Sequence, residues 1–310
     1  MINYIFVILL FFSTVSARNY ITYTLNGGRF GDCLSTVCKA LWYAYRYDLT
    51  LLYKEFEYSN QLRLHQLETP YNDEIIHTAS KIVKVKTEDD IRNNNKQDAI
   101  LFVSDFYSIT PGLYEYSVQD PVFAQILKNA LTPIIPLPTI QKEPDTVTVA
   151  VHVRKGGGFD QPLFSVQIYK KPGQPADKVW PTKFPPDQFY IDQIITLKKL
   201  ISPKKMIVYF LTDDPNPHQL VVLYQSHIND PEIQFIYREH HNSHNANVIE
   251  DFCTMAQCEC LIRSTSLYAK AAQLLGSHAI IMYPINGYWQ ENKLIINPIG
   301  IIIRETLSFL

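Results

Sequence analysis

The sequence lacks an excess of charge of either sign: 28 Lys+Arg stand against 30 Asp+Glu, a formal net charge of -2. A nucleic-acid protein needs surplus base to neutralise phosphates, so that class is excluded. Glycine is scarce at 11 residues, and neither a G-x-y period nor a 20–50-residue repeat occurs, which rules out collagen-like and solenoid architectures. Cysteine is too sparse and oddly numbered for a disulfide framework: five residues, Cys33, Cys38, Cys253, Cys258 and Cys260. The Cys253, Cys258, Cys260 spacing has no paired CxxC and no His at finger distance, so these thiols are expected to pack as small apolar side chains. An Asn-x-Ser/Thr acceptor is also missing, which leaves glycosylation silent about compartment.

What is present is enough for a large core: 46% hydrophobic and 13% aromatic residues in 310, a length that predicts about two domains. The apolar run Tyr4 to Phe12 is too short to cross a bilayer, which takes about 20 residues. Small residues ending at Ala17 follow it, so residues 1–17 read as a signal peptide, and export or a secretory-pathway lumen is expected. An uncleaved or buried N-terminal strand, with a cytoplasmic location open to the chain, is the alternative. No other stretch is expected to span a membrane.

Pro133, Pro136, Pro138 and Pro144 interrupt all periodicity between Leu131 and Thr146, which places a linker there and domains at 18–140 and 141–310. Before it, strands are expected near Tyr20 to Leu25, Leu49 to Tyr53, Ile82 to Val85 and Ala99 to Val103. After it come Val147 to Val153, Met206 to Leu211, Ile233 to Tyr237, Cys260 to Arg263 and Ala279 to Tyr283. Helical stripes alternate with these strands, as in Leu34, Val37, Cys38, Leu41 and Tyr45 behind an N-cap at Asp32, or Tyr190, Ile194, Leu197 and Leu200 behind Asp187. The βαβα series predicts an α/β fold with mostly parallel sheets covered on both faces.

Four segments fall where a strand hands over to a loop or helix, the edge at which open α/β sheets bind ligands. Gly27-Gly28-Arg29-Phe30-Gly31-Asp32 can bring backbone amides close to an anion or sugar, or simply make a tight turn. In His152-Val153-Arg154-Lys155-Gly156, strand alternation puts His152 and Arg154 on one face, where the guanidinium can clamp a phosphate and Lys155 offers a point charge. Asp213 and Asp214 can accept hydrogen bonds from a base or ribose, hold a divalent metal, or cap the next helix. Ser264, Thr265 and Ser266 precede the helix Leu267 to Leu275, where hydroxyls and helix amides suit a pyrophosphate, or only a cap.

In their order, these segments resemble the fucosyltransferase superfamily that includes the α1,2- and α1,6-fucosyltransferases and the protein O-fucosyltransferases. Gly28-Arg29-Phe30-Gly31-Asp32 is similar to its first-loop Gly-Arg-(Phe/Leu)-Gly-Asn, and His152-Val153-Arg154-Lys155 to its His-x-Arg-Arg stretch. Thr212 to Pro215 resembles a strand end of the family, and Asp251 through Ser266 its acidic helix and Ser-rich turn. The resemblance implies a GT-B-like pair of Rossmann-type domains and an inverting, metal-independent transfer of fucose from GDP-fucose, without a cofactor, to a glycan or protein hydroxyl. It assigns Arg154 to the β-phosphate, His152 with Asp213 or Asp214 to the guanosine, Ser264 to Ser266 to the pyrophosphate, and Gly28, Arg29, Gly31 and Lys155 to the donor pocket. Asp32 stands where the O-fucosyltransferase loop has Asn, and Gly156-Gly157 where many relatives carry an Asp, so Asp32 and Asp160 are both candidates for the base. A non-catalytic, exported binder of nucleotide sugars or glycans is the alternative, and a GT-B enzyme for another nucleotide sugar a third reading.

Overall fold

The computed structural model describes residues 19–25, 27–95, 100–104, 120–140, 142–156, 165–166, 174–202 and 204–304. The presumed signal peptide and Asp160 lie outside these residues. Two sheets form the frame. The first contains β1 (Tyr20–Tyr23), β2 (Thr50–Tyr53), β3 (Thr69–Pro70), β4 (Lys81–Val85) and β5 (Ile100–Ser104), all parallel, in the order β3-β2-β1-β5-β4. Helices α1 (Phe30–Tyr47), α2 (Leu64–Leu67), α3 (Asp73–Thr78) and α4 (Glu88–Asn94) alternate with them, and α5 (Pro121–Leu131) follows.

The second sheet begins with β6 (Thr146–Val153). The short pair β7 (Ser165–Val166) and β8 (Gln174–Pro175) precedes α6 (Ala176–Val179) and α7 (Asp187–Ile201). Then come β9 (Lys205–Thr212), α8 (Pro217–Ile228), β10 (Ile233–Tyr237), α9 (Val248–Gln257), β11 (Cys260–Arg263), α10 (Leu267–Leu275), β12 (Ile280–Pro284), the hairpin β13 (Gly287–Gln290) and β14 (Lys293–Ile296), and β15 (Ile299–Ile303). The order β10-β9-β6-β11-β12-β15 is parallel except for β15, which closes the edge antiparallel to β12. This is the expected α/β architecture of mostly parallel sheets. The strand expectations agree with it to within a residue or two.

β6 shows why the sequence alternates as it does. Val147, Val149, Val151 and Val153 enter one core with Ile194 and Leu197 of α7 and Val208 of β9. Ala150 faces the other way, into a core that also holds Leu34 and Val37 of α1, Phe252 of α9 and Ala269 and Ala272 of α10. Helices α9 and α10 thus lie between the two sheets and are apolar toward both, so the two halves of the chain share a core. All five cysteines are buried and unpaired within these layers, packing as the composition predicted.

Two helix starts differ from expectation. Helix α1 begins at Phe30 with Arg29 as N-cap, so Asp32 sits inside the first turn. There its carboxylate complements the helix dipole without capping. Likewise α7 begins at Asp187 behind Pro186, whose fixed φ suits the position before the first turn, and the Asp187 side chain is drawn elsewhere. Between the sheets, the proline-rich stretch is pinned to α9: Ile140 N–H donates to Gln257 Oε1 (3.1 Å), and Gln257 Nε2 donates to the Pro138 carbonyl (3.2 Å).

The contact that sets the spacing of the halves is Gly31 against Tyr268, first turn to first turn of α1 and α10. A Cβ on Gly31 would stand 2.5 Å from the Tyr268 backbone nitrogen and 2.8 Å from its Cα. Gly31 is needed for close approach, since backbone atoms cannot yield as a flexible side chain could. Gly31→Ala is expected to destabilise the protein by about 1–3 kcal/mol, as overpacking does. Urea unfolding of the two proteins checks this; equal midpoints would show that the helices do not abut.

Candidate functional site

The carboxyl ends of β1 and β2 face those of β6, β9, β10 and β11 across a two-lobed cleft. One lobe, of about 260 Å³, is walled by Tyr58 and Phe30 from the first half and by His152, Asp213, Asp251 and the loop Ser243 to Ala246 from the second. The other lobe, of about 210 Å³, has Asp32 on one side and Trp180, Lys183, Thr265 and Ser266 on the other. Arg29, Gly31, Arg154 and Tyr268 line both, so the two guanidiniums stand at the waist. Taken together the lobes fall within the roughly 300–1,000 Å³ typical of ligand sites.

The floor is rigid. Phe30 meets Phe56, Phe252 and Tyr268 at ring-centroid distances of 6.1, 5.6 and 6.1 Å, the last two edge-on. Tyr268 Oη donates to the Val248 carbonyl at 2.6 Å, tying α10 to the start of α9. Over the mouth, Tyr58 Oη donates to the Asn245 carbonyl at 2.8 Å, so a loop of the second half is held by the first.

The loop after β6 separates two cations that look alike in sequence. Lys155 Nζ donates to both oxygens of Asp187, at 2.6 and 2.8 Å, and Tyr224 Oη donates to the same carboxylate at 2.8 Å. The charge of Lys155 is therefore neutralised within the fold, and this is what draws Asp187 away from capping. Arg154, one residue earlier, points into the cleft wall with its guanidinium 5.8 Å from the Phe184 ring. Asp213 accepts from the backbone amides of Lys155 (2.7 Å) and Gly156 (3.1 Å). Gly156 has φ 87, a conformation that orients its N–H toward that carboxylate and favours glycine. Asp213 thus shapes the loop that presents Arg154 and also lines the cleft. Asp214 accepts from the Asn216 amide at 2.7 Å and leads into α8, away from the lining.

The Ser-rich turn divides as well. Ser264 is fully buried, with its Oγ accepting from the Ser266 amide at 3.3 Å, and it does not line the cleft. Thr265 pairs its hydroxyl with that of Thr182 at 3.0 Å, and Ser266 is the N-cap residue of α10 without using its side chain to cap. Both border the smaller lobe, where the first amides of α10 lack helical acceptors. In the first loop, the Gly28 carbonyl accepts from Cys33 Sγ at 3.1 Å and serves the turn.

His152 is buried against Tyr268, with ring centroids 5.6 Å apart, and its Nδ1 has no partner. Burial pushes its pKa down, the Arg154 and Arg263 cations push it further, and Asp213 opposes them. The imidazole is therefore neutral. Asp251 is held by Arg238 Nη2 at 2.9 Å, but burial outweighs that pairing and raises the pKa of its carboxyl. Asp251, Tyr58, Tyr268, Trp180 and Lys183 were not among the expected site residues. Tyr58 and the Ser243 to Ala246 loop follow β2 and β10, so the rule that ligands bind beyond the carboxyl ends of parallel strands could have pointed to them.

No protein-family model matches the sequence, and no curated protein matches it. Among solved structures the fold is similar to a mutant FUT1 of Arabidopsis thaliana in complex with GDP, at 14% identity and a TM-score of 0.53, covering 87% of this chain and 71% of that one. Further similar structures are POFUT1 in complex with GDP-fucose (12% identity, TM-score 0.48, 85% and 96% covered) and the fucosyltransferase NodZ from Bradyrhizobium (14%, TM-score 0.41, 92% and 98%). The chain has a fucosyltransferase-like, GT-B-type fold.

A pH dependence follows from the two buried imidazoles. His278, with Nδ1 2.9 Å from the Cys258 carbonyl, has its pKa lowered to about 4 by burial, and His152 is shifted the same way. The unfolded chain takes up protons near pH 6.5 that the native state refuses, so this contribution to stability is complete above about 6.5 and is lost as pH falls toward about 4. NMR titration should find both rings neutral at about pH 5.5; a normal midpoint for either would show that it is solvated.

Proposed function

We propose that this chain is an inverting, metal-independent fucosyltransferase that moves fucose from GDP-fucose to a hydroxyl of a glycan or protein. The observation that carries the reading is the waist of the cleft, where Arg154 and Arg29 border both lobes. A diphosphate seated there lies between a nucleoside in the larger lobe and a sugar facing the smaller one. The similar fold of the FUT1 structure in complex with GDP supports a guanine nucleotide as the ligand of this cleft.

The chemistry divides among the residues as follows. The acceptor oxygen attacks the anomeric carbon of fucose while the bond from that carbon to the β-phosphate oxygen breaks. Negative charge grows on the departing GDP, and the guanidinium of Arg154, with that of Arg29, offsets it. The acceptor proton passes to a carboxylate, for which Asp32 in the smaller lobe is the candidate among the described residues. Neutral His152 has a buried nitrogen to satisfy on the nucleotide. Asp251, which lines the larger lobe, offers carboxylate oxygen to the N1–H and amino group of guanine. Asp213 contributes through the loop it orders. The reading includes export to a lumen that is supplied with the donor.

Arg154→Ala is expected to lower acceptor-dependent GDP release by about 100-fold or more, the scale of losing a transition-state donor. Lys155→Ala should cost far less, because its charge already belongs to Asp187. Equal, mild losses from both would remove the clamp. Activity should persist in EDTA. By calorimetry, Asp251→Asn should weaken GDP binding about 10- to 100-fold, in line with a charged hydrogen bond; if UDP binds wild type as tightly as GDP does, the base assignment is wrong.

A further inference from the structure

The segment that supplies Trp180, Thr182 and Lys183 to the cleft also supplies Asp177, Phe184 and Pro186 to a second cavity, of about 520 Å³, larger than either lobe. Its other walls are α7 and the β13–β14 hairpin. Trp289, Leu294 and Ile296 from the hairpin and Phe184 and Phe189 from the other walls give it an apolar floor. Set into this floor are planar polar groups: the carboxylates of Asp177 and Asp192 and the amide of Gln193, whose residue is buried.

Two observations define what would fit. Asp177 Oδ1 is buried and has no hydrogen-bond partner, which leaves an acceptor in need of a donor. The two carboxylates, Asp177 and Asp192, stand against the ammonium groups of Lys293 in the lining and of Lys178 beside Trp289, so the rim carries no net charge to attract an anion. Trp289 is fixed in place, with its indole N–H reaching the Asp177 carbonyl at 3.4 Å and Lys178 Nζ 5.3 Å from its ring. A purely apolar ligand would leave the Asp177 oxygen desolvated and unmatched. A neutral sugar supplies what is missing, with hydroxyls to donate to carboxylates and amides and C–H faces to lie on an indole.

We infer that this groove is a neutral-saccharide-binding site, separate from the donor cleft and joined to it through the segment Asp177 to Pro186. That the bound saccharide is an extension of the acceptor rests on the transferase reading; the binding itself does not. The test uses the full chain on an array of neutral glucose-, galactose-, mannose- and N-acetylglucosamine-based oligosaccharides, with sialylated and phosphorylated glycans alongside, followed by titration of the retained sugar. Retention of a neutral class is expected, weakened at least about 10-fold by Trp289→Ala and by Asp177→Asn, and kept within about threefold by Trp289→Phe. The rim variant Asp177→Asn and the change in tryptophan fluorescence on adding sugar decide the matter if Trp289→Ala fails to fold. Retention of no neutral glycan, of anionic glycans only, or of a neutral glycan indifferent to both substitutions overturns the inference. Calorimetry with GDP on the same preparations reads the donor site, so a failure there is distinct from a failure of the groove.

Discussion

The close approach of two helix starts, at Gly31 and Tyr268, is the constraint from which the cleft follows. Neither sheet alone forms it, since its walls come from both halves. Because α1 meets α10 backbone to backbone, Arg29 at the cap of one helix is brought to the same waist as Arg154 from the far sheet. The shared apolar core around α9 and α10 makes this approach favourable, and the absence of a side chain at Gly31 makes it possible. Tyr268 then does three things at once: it packs on Phe30, closes over His152 and ties its hydroxyl to the start of α9.

Electrostatics within the loop after β6 is the second level of organisation. Adjacent cations are separated in role by position: Asp187 and Tyr224 engage Lys155, while Arg154 lines the cleft. Asp213 completes the arrangement by holding the backbone amides of Lys155 and Gly156, which fixes the direction in which Arg154 leaves the strand. Neutrality of His152 belongs to the same design, since two cations and burial leave no room for a third charge.

Much of the frame was legible in the sequence, because strand and helix periods are local. The valine alternation of β6 foretold both its two-sided burial and the common face of His152 and Arg154. The helix starts were less legible: Asp32 and Asp187 are good capping residues by type, but the proline before Asp187 and a lysine 32 residues away decided otherwise. The Ser-rich turn reads as three equivalent hydroxyls, yet burial removes Ser264 from the cleft and leaves Thr265 and Ser266 at its edge. No local pattern marks Tyr58 or Trp180, whose places depend on which loops the topology gathers at one edge.

The order of strands and helices, their buried faces and the set of charged and glycine-rich turns are determined by the sequence by itself, since each depends on residues within a few positions of one another. Only the tertiary structure decided which charges are consumed by internal partners and which face the cleft. Those pairings are contacts between distant segments, set by how closely two layers can pack, and no spacing along the chain encodes that distance.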